Sequence, residues 1–333
     1  MIRLLPLPLM LLIATTVCAA HGPEVIDPAE AEKDPDFAIQ GEYVGEGVWP
    51  ENENHQEKSE KSEKCKIGTQ VIAQGDGKFN AVVFKGGLPG DGWNRGDEQY
   101  TIEGRREGED AVASFKQGDR PAGKIADGVL TLFDAEVKEH AKLKRTGRKS
   151  PALEAKPPGD AVVIFDGTNL EHFPDGKITD MKTLEAGCTM KPGFKMKKLH
   201  LEFRLSWKPT ARGQGRSNSG VYIGGMPEIQ VLDSFGLEGT KNECGALYGR
   251  RVPDVNMCLP PLVWQTFDVE FTEPERDEKG NPKENIRATV RHNGIVIHKD
   301  YDTRKKESGP RRLHLQRHGN RVQYRNIWIV EPE

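Results

Sequence analysis

Apolar and polar residues alternate along most of this chain, and Gly, Pro or Asn-Gly pairs break the alternation at short intervals. A period of two is the signature of a half-buried strand. In the first half the alternating runs are "FAIQGEYVG", "GTQVIAQGDGKFNAVVFKGG", "YTIEGRR", "AVASFKQG" and "GKIADGVLTLF". In the second half they are "LHLEFRLSW", "NSGVYIGG", "PEIQVLDS", "WQTFDVEFTE", "IRATVRHNGIVIHKDY", "RRLHLQRHG" and "RVQYRNIWIV". The "RHNGIVIH" run contains Asn-Gly, the strongest short hairpin signal. No long run has helical period, so the chain reads as all-β. The second half, with seven or more antiparallel strands, reads as a β-sandwich. One sheet of such a sandwich can turn a concave polar face to solvent.

Composition divides the chain further. Residues 1–20 have Arg3, an apolar stretch and small residues at Cys18, Ala19 and Ala20, which fits a secretory signal peptide cut after Ala19 or Ala20. Lipid attachment at Cys18 is the weaker reading, because Val17 is bulky where a small residue is wanted. Residues 21–146 form a small β-rich domain interrupted by a charged low-complexity loop at 51–66. Its "GGLPGDGWNRGD" loop has no strand leading in and no helix leaving, so it does not read as a phosphate-binding loop. Residues 147–160 are basic and Pro-rich, the composition of a linker. The sandwich occupies 161–333. The net charge is −3, which gives no electrostatic reason to expect nucleic acid. Nothing after the leader is long and apolar enough to span a membrane. The expected location is therefore periplasmic or extracellular. In that setting Cys65, Cys188, Cys244 and Cys258 can form disulfides, with Cys244 and Cys258 the first pair to expect.

The candidate chemistry lies in the sandwich. In "PEIQVLDS", Glu228 and Gln230 share one face, and Ile229 and Val231 the other. Asp233 falls on the opposite parity and joins them only if the strand ends or bulges near Leu232. Taken alone, the pattern favours ordinary solvated polar side chains, and Asp233 before Ser234 also suits a turn. "LHLQRHGN" puts His314, Gln316 and His318 on one face, with Leu313 and Leu315 in the core. His318 can serve as acid, base or ligand, or simply precede a turn. "LHLEFRLSW" puts His200, Glu202 and Arg204 on one face, where Glu202 and Arg204 can hold sugar hydroxyls or form a surface ion pair worth under about 1 kcal/mol. Asn218 can bond a hydroxyl or cap its turn, and Tyr248 can stack on a sugar ring.

The segments "FDGTNLEHF", "LHLEFRLSW", "NSGVYIGG", "PEIQVLDS", "ALYG", "WQTFDVEF", "HNGIVI" and "LHLQRHGNRVQYRNIWI" occur in this order. Together they resemble the 3-keto-disaccharide hydrolase family, formerly domain of unknown function 1080, over residues 160–333. The block "EYVGE…QVIAQGDGKFNAVVFKGGLPGDGW" resembles an N-terminal companion found with this family in planctomycete-type proteins. The resemblance implies a concanavalin-A-like (lectin/glucanase) sandwich, export, and a carbohydrate or glycoside substrate. It implies action on a sugar already oxidised at C3, supplied by a separate sugar 3-dehydrogenase. A base would take the C2 proton, the C1 substituent would leave, and water would add later. It points to Glu228 and His318 as the catalytic pair, with Gln230 and Gln316 on the substrate. Glu228, Asp233 and His318 are a candidate ligand set for a divalent ion, although no spacing requires one. "EIQVLD" is also similar to the strand motif of laminarinase-like enzymes, but Gln230 replaces the middle acid and position 233 is Asp. That departure counts against a two-carboxylate glycosidase. The alternative from another class is a non-catalytic carbohydrate-binding module that uses the same concave face.

Overall fold

The computed structural model describes residues 24–50, 64–108, 110–307 and 309–332. The leader at 1–20 and most of the charged loop at 51–66 lie outside these residues. Two short helices, α1 (Pro28–Ala31) and α2 (Pro35–Ile39), come first. Each begins with Pro after an Asp whose carboxylate accepts a backbone N–H, a standard helix start. Ten strands follow: β1 (Gly41–Val48), β2 (Lys64–Gly75), β3 (Lys78–Lys85), β4 (Leu88–Pro89), β5 (Gly92–Trp93), β6 (Gln99–Arg106), β7 (Ala113–Gln117), β8 (Arg120–Ala126), β9 (Val129–Phe133) and β10 (Glu139–Thr146). All but β4 and β5 close into an antiparallel barrel in the order β1-β10-β9-β8-β7-β6-β3-β2.

Alternation decides what fills the barrel. In β3, Phe79, Ala81 and Val83 are buried while Lys78 and Asn80 are exposed. Tyr43, Phe115, Ile125, Leu130 and Leu132 complete the interior. A barrel of this strand number is just wide enough for side chains to fill it, and closure leaves no strand edge unpaired.

The second unit contains β11 (Ala161–Phe165), β12 (Leu184–Glu185), β13 (Cys188–Thr189), β14 (Lys198–Arg204), β15 (Ser219–Ile223), β16 (Ile229–Val231), β17 (Trp264–Thr272), β18 (Arg287–His292), β19 (Ile295–Asp302), β20 (Leu313–Leu315) and β21 (Gln323–Val330). The larger sheet runs β11-β21-β14-β17-β18-β19, with β12 joining β21; the smaller runs β13-β20-β15-β16. Leu199, Leu201 and Phe203 of one sheet meet Val221, Ile229 and Leu315 of the other in a common core. The β18–β19 hairpin turns through Asn293 and Gly294 with φ of 51° and 81°, as a two-residue type I′ turn requires. Among the described residues, no helix is long and apolar enough to cross a membrane.

The two units interlock. Trp207, which follows β14, packs with the barrel's apolar cluster, and its indole N–H donates to Asp34 at 2.9 Å. Ile72 of the barrel belongs in turn to the sandwich core. The basic segment after β10 is pinned down. Arg148 Nε donates to buried Glu42 at 2.8 Å and Nη1 to the Pro89 carbonyl at 2.7 Å. Ser150 and Thr266 share a hydroxyl hydrogen bond of 2.7 Å. Composition marks this stretch as a linker, but ion pairing and burial make it a strap across the sandwich.

All four described cysteines are free thiols. Cys244 and Cys258, expected as a disulfide, are buried thiols in contact with each other, and Cys258 Sγ lies 3.5 Å from the Leu232 carbonyl. Burial pushes the Cys258 thiol well up, which keeps it protonated.

The Glu42 side chain is 1% exposed, so removing Arg148 strands a buried carboxylate. Arg148→Ala is expected to cost about 3 kcal/mol in urea unfolding. A midpoint unchanged from the parent chain would mean that the strap is held by other contacts.

Candidate functional site

The smaller sheet explains why a carboxylate and an amide share a strand face. Its inner face carries Val221, Ile229, Val231, Leu313 and Leu315 into the core. Residues of opposite parity must then line the outer face. On β15 these are Gly220 and Tyr222, and across the register Gly220 pairs with Gln230 and Tyr222 with His314. Gln316 continues the same face, its backbone N–H donating to the Gly220 carbonyl at 2.8 Å. The Gly-Gly-Met-Pro corner brings Glu228 back beside Tyr222.

Glu228 lies directly over Gly220. A Cβ at position 220 would sit 1.9 Å from Glu228 Oε1, so only glycine leaves room for the carboxylate. Tyr222 donates its hydroxyl to Glu228 Oε2 at 2.6 Å, and Gln316 Nε2 donates to that hydroxyl at 3.1 Å. Gln230 is 1% exposed. With its amide nitrogen turned toward the acceptors around it, Gln230 donates to Glu228 Oε1 at 3.2 Å and to the Ser219 carbonyl at 2.9 Å. Glu228 is therefore held at both oxygens by neutral donors.

No cation forms an ion pair with Glu228 among the described residues. Burial raises its carboxyl above the ordinary range, and the Tyr222 hydrogen bond, His318 and His314 offset this only in part. The combined effect of burial and the adjacent carboxylate raises the Tyr222 phenol far above its usual value, so it stays a proton donor. His314 stands beside Tyr222 with ring centroids 5.7 Å apart, and its Nδ1 meets Thr189 Oγ1 at 2.9 Å. His318 is exposed at the rim and close enough to act electrostatically on Glu228.

The structure thus brings Glu228, Gln230, Gln316, His314 and His318 to one face. Tyr248 is exposed at its edge, its backbone N–H donating to the Glu228 carbonyl at 2.9 Å. Asn218 lies underneath: its amide donates to the Gln214 carbonyl and to Gln214 Oε1, both at 2.9 Å. Buried there, it braces Gln214, and its Oδ1 has no hydrogen-bond partner among the described residues. Tyr222 is the central residue that the sequence reading omits. Its parity with Gly220 in "SGVYIGG", across the corner from Glu228, is the signal that could have found it.

Three expected residues lie elsewhere. Asp233 is buried beyond the end of β16, paired with Arg216 Nε at 2.6 Å. Parity turned it away from the outer face and the strand does not bulge to rescue it. The set Glu228, Asp233 and His318 therefore does not fit a shared ion, and among the described residues no three His, Cys, Asp or Glu side chains come together to hold one. Glu202 and Arg204 lie on β14 in the larger sheet, whose polar face points away from the smaller one. They are not a surface ion pair. Glu202 is wholly buried and bonds Arg325 at 2.7 Å, the Glu154 N–H at 2.5 Å and Asn326 at 2.9 Å. Burial pushes its carboxyl up, but hydrogen bonds from His200, Asn326, Glu154 and Arg325 outweigh that and hold it down at about 2.

The family model for the 3-keto-alpha-glucoside-1,2-lyase-like domain matches residues 160–330, which is the sandwich and not the barrel. A solved structure of a candidate glycosyl hydrolase from Parabacteroides distasonis ATCC 8503 is similar at 27% identity and a TM-score of 0.44, over 53% of this chain and 85% of that one. A second candidate glycosyl hydrolase from the same organism is similar at 16% identity and a TM-score of 0.38, over 52% of this chain and 94% of that one. No curated protein matches the chain.

Two carboxylates a few residues apart should behave oppositely. Asp233→Asn leaves Arg216 buried without a counter-charge and is expected to cost about 3–5 kcal/mol in urea unfolding at pH 7. The raised carboxyl of Glu228 means that folding favours its protonated form, a contribution lost as pH rises through that raised value. Glu228→Gln is therefore expected to match or exceed the parent stability at pH 7. A large loss in Glu228→Gln would show that the carboxylate is structural.

Proposed function

The chain belongs to the 3-keto-alpha-glucoside-1,2-lyase-like family, and we propose that its smaller sheet cleaves a glycoside oxidised at C3, with Glu228 as the base. Family membership supports a sugar-processing role, and the geometry around Glu228 supports this finer reading. A ketone at C3 acidifies the hydrogen on C2. Glu228 takes that proton, and the C–H electron pair becomes a C1=C2 double bond conjugated with the ketone. The C1–O pair leaves with the aglycone oxygen, which takes up a proton. Water then adds across C1=C2, so the net change is hydrolysis.

Each residue has a part that its surroundings support. A base for an activated carbon acid works best when its pKa is lifted toward the working pH, and burial without a cation does that for Glu228. Tyr222 and Gln230 fix both carboxylate oxygens, so the base is oriented before substrate arrives. Gln316 orients Tyr222 in turn. His318, exposed at the rim, would protonate the leaving oxygen. Tyr248 offers an aromatic edge to a sugar ring. The keto-sugar would come from a separate dehydrogenase, and export by the 1–20 leader belongs to the same reading. The observation that carries the proposal is the half-buried Glu228, in no ion pair among the described residues and held at both oxygens by neutral donors.

Glu228→Gln is expected to lower turnover of 3-keto-trehalose or a 3-keto-glucoside by about 10²–10⁴ while the fold is kept. Binding without turnover in the parent chain would instead make the face a carbohydrate-binding module, and cleavage of only unoxidised glycans would make it an ordinary glycosidase. In kcat/KM profiles, the acid limb should lie above the normal glutamate range, because the base must be ionised. Tyr222→Phe removes a hydrogen bond that lowers the Glu228 pKa, so the limb should move to higher pH. A limb that stays in place would assign the titration to another group.

A further inference from the structure

Glu202 and Arg204, which the larger sheet carries away from Glu228, line a second cavity. Arg204, on the outer face of the larger sheet, is 7% exposed. Its Nε and Nη2 donate to Gln323 Oε1 at 3.0 and 2.7 Å, and Nη2 reaches the Ile26 carbonyl at 3.2 Å. These acceptors are neutral, and among the described residues no carboxylate lies within ion-pair distance of Arg204. A buried cation without a counter-charge is expensive.

A second guanidinium makes it more so. Arg204 lies over the Trp264 ring at 4.9 Å and Arg325 over the same ring at 4.2 Å. Arg325 is neutralised by Glu202 at 2.7 Å and Glu154 at 3.1 Å; Arg204 is not. Burial and the like charge of Arg325 push the Arg204 pKa down, and the carboxylate of Asp27, beyond ion-pair distance, offsets this only in part. The two arginines, with Trp264 between, line a cavity of about 510 Å³ beneath the strap. That volume is in the range of small-molecule sites. Its wall carries four cations, Lys156, Lys182, Arg204 and Arg325, against the carboxylates of Glu154, Asp166 and Glu202.

We infer that this cavity is a binding site for a small carboxylate ligand, received by the unpaired guanidinium of Arg204 beside Trp264. Nη1 of Arg204 and Nη1 of Arg325 donate to no described residue, and a planar guanidinium edge matches a carboxylate. The excess of one positive charge in the wall suits a monoanion. A dianion such as sulfate would leave net negative charge beside Glu202 and Glu154. The indole supplies an apolar wall, so an acidic sugar uses both features. The site is separate from Glu228, because the two sheets share their apolar faces and their polar faces point apart. It does not rest on the keto-sugar reading.

Calorimetric titration of the full chain with sodium D-glucuronate, against D-glucose at matched ionic strength, tests this. Glucuronate should bind saturably and glucose should not. Arg204→Gln should weaken glucuronate at least tenfold. Lys156 is exposed, so Lys156→Glu puts a carboxylate at the mouth without touching the core. It should weaken binding too, and it decides the matter if Arg204→Gln fails to fold. Glu228→Gln should bind glucuronate as the parent does; loss of binding there would move the ligand to the Glu228 face and overturn the assignment. Absence of binding by the parent chain, indifference to both cavity substitutions, or equal competition by sulfate would also overturn it.

Discussion

The Arg216–Asp233 ion pair is the contact on which the outer face of the smaller sheet depends. Asp233 follows the three-residue strand β16, too short to hold its own position by pairing alone. Its carboxylate takes the Arg216 Nε at 2.6 Å, and the other guanidinium nitrogens reach the Ala73 carbonyl in the barrel at 3.2 Å. One buried side chain thus fixes the end of the strand that carries Glu228 and Gln230, and fixes it against the other unit. On the free side of β16, Gln230 exchanges backbone hydrogen bonds with Ala246 and Gly245 at 2.9 and 2.8 Å. The strand is clamped along both edges and at its end, so its outer side chains are held still.

Within that frame, two kinds of carboxylate, one buried and one half-buried, are built by opposite means. Asp233 and Glu202 have guanidinium partners, and Glu202 collects enough donors to be driven to about 2. Such groups are fixed charges that organise their surroundings. Glu228 has only neutral hydrogen-bond donors and is partly desolvated, and His318 and His314 offset this only in part, so its proton is held more tightly. A carboxylate of the second kind is closer to exchanging its proton than one of the first, the environment in which the proposed base sits. The distinction comes from what packs around each carboxylate; the side chains differ by a single methylene at most.

The barrel is more than an appendage to this arrangement. Trp207 enters its apolar cluster while Ile72 enters the sandwich core, and a Cβ at Gly236 would meet the Ile72 side chain at 2.4 Å. The strap that leaves the barrel then covers the polar face of β14. Without that cover, His200, Glu202 and Arg204 would be the solvated strand face that their spacing suggests. With it, they become a buried polar layer in which His200 and Glu202 are matched and Arg204 keeps a free guanidinium nitrogen. His200 Nδ1 meets Asp268 Oδ1 at 2.9 Å, and hydrogen bonds to Asp268 and Glu202 raise its pKa against the opposing effect of burial.

Alternation along the sequence is enough to determine that the chain is all-β, where the Asn-Gly hairpin turns, and that Glu228 and Gln230 share a face opposite Ile229 and Val231. The same rule puts Gln316 on the polar side of Leu315 and turns Asp233 inward. These features follow from the two-residue period of a strand, which is a local property. Tertiary structure alone decided that segments 220–230 and 314–318 lie side by side, that Asp233 meets Arg216, and that the basic stretch after residue 146 buries the polar face of β14. It also decided that the first unit closes into a barrel. Periodicity says which way a side chain points and nothing of what covers it, and in this protein the surroundings separate a carboxylate whose pKa is raised from one whose pKa is held low.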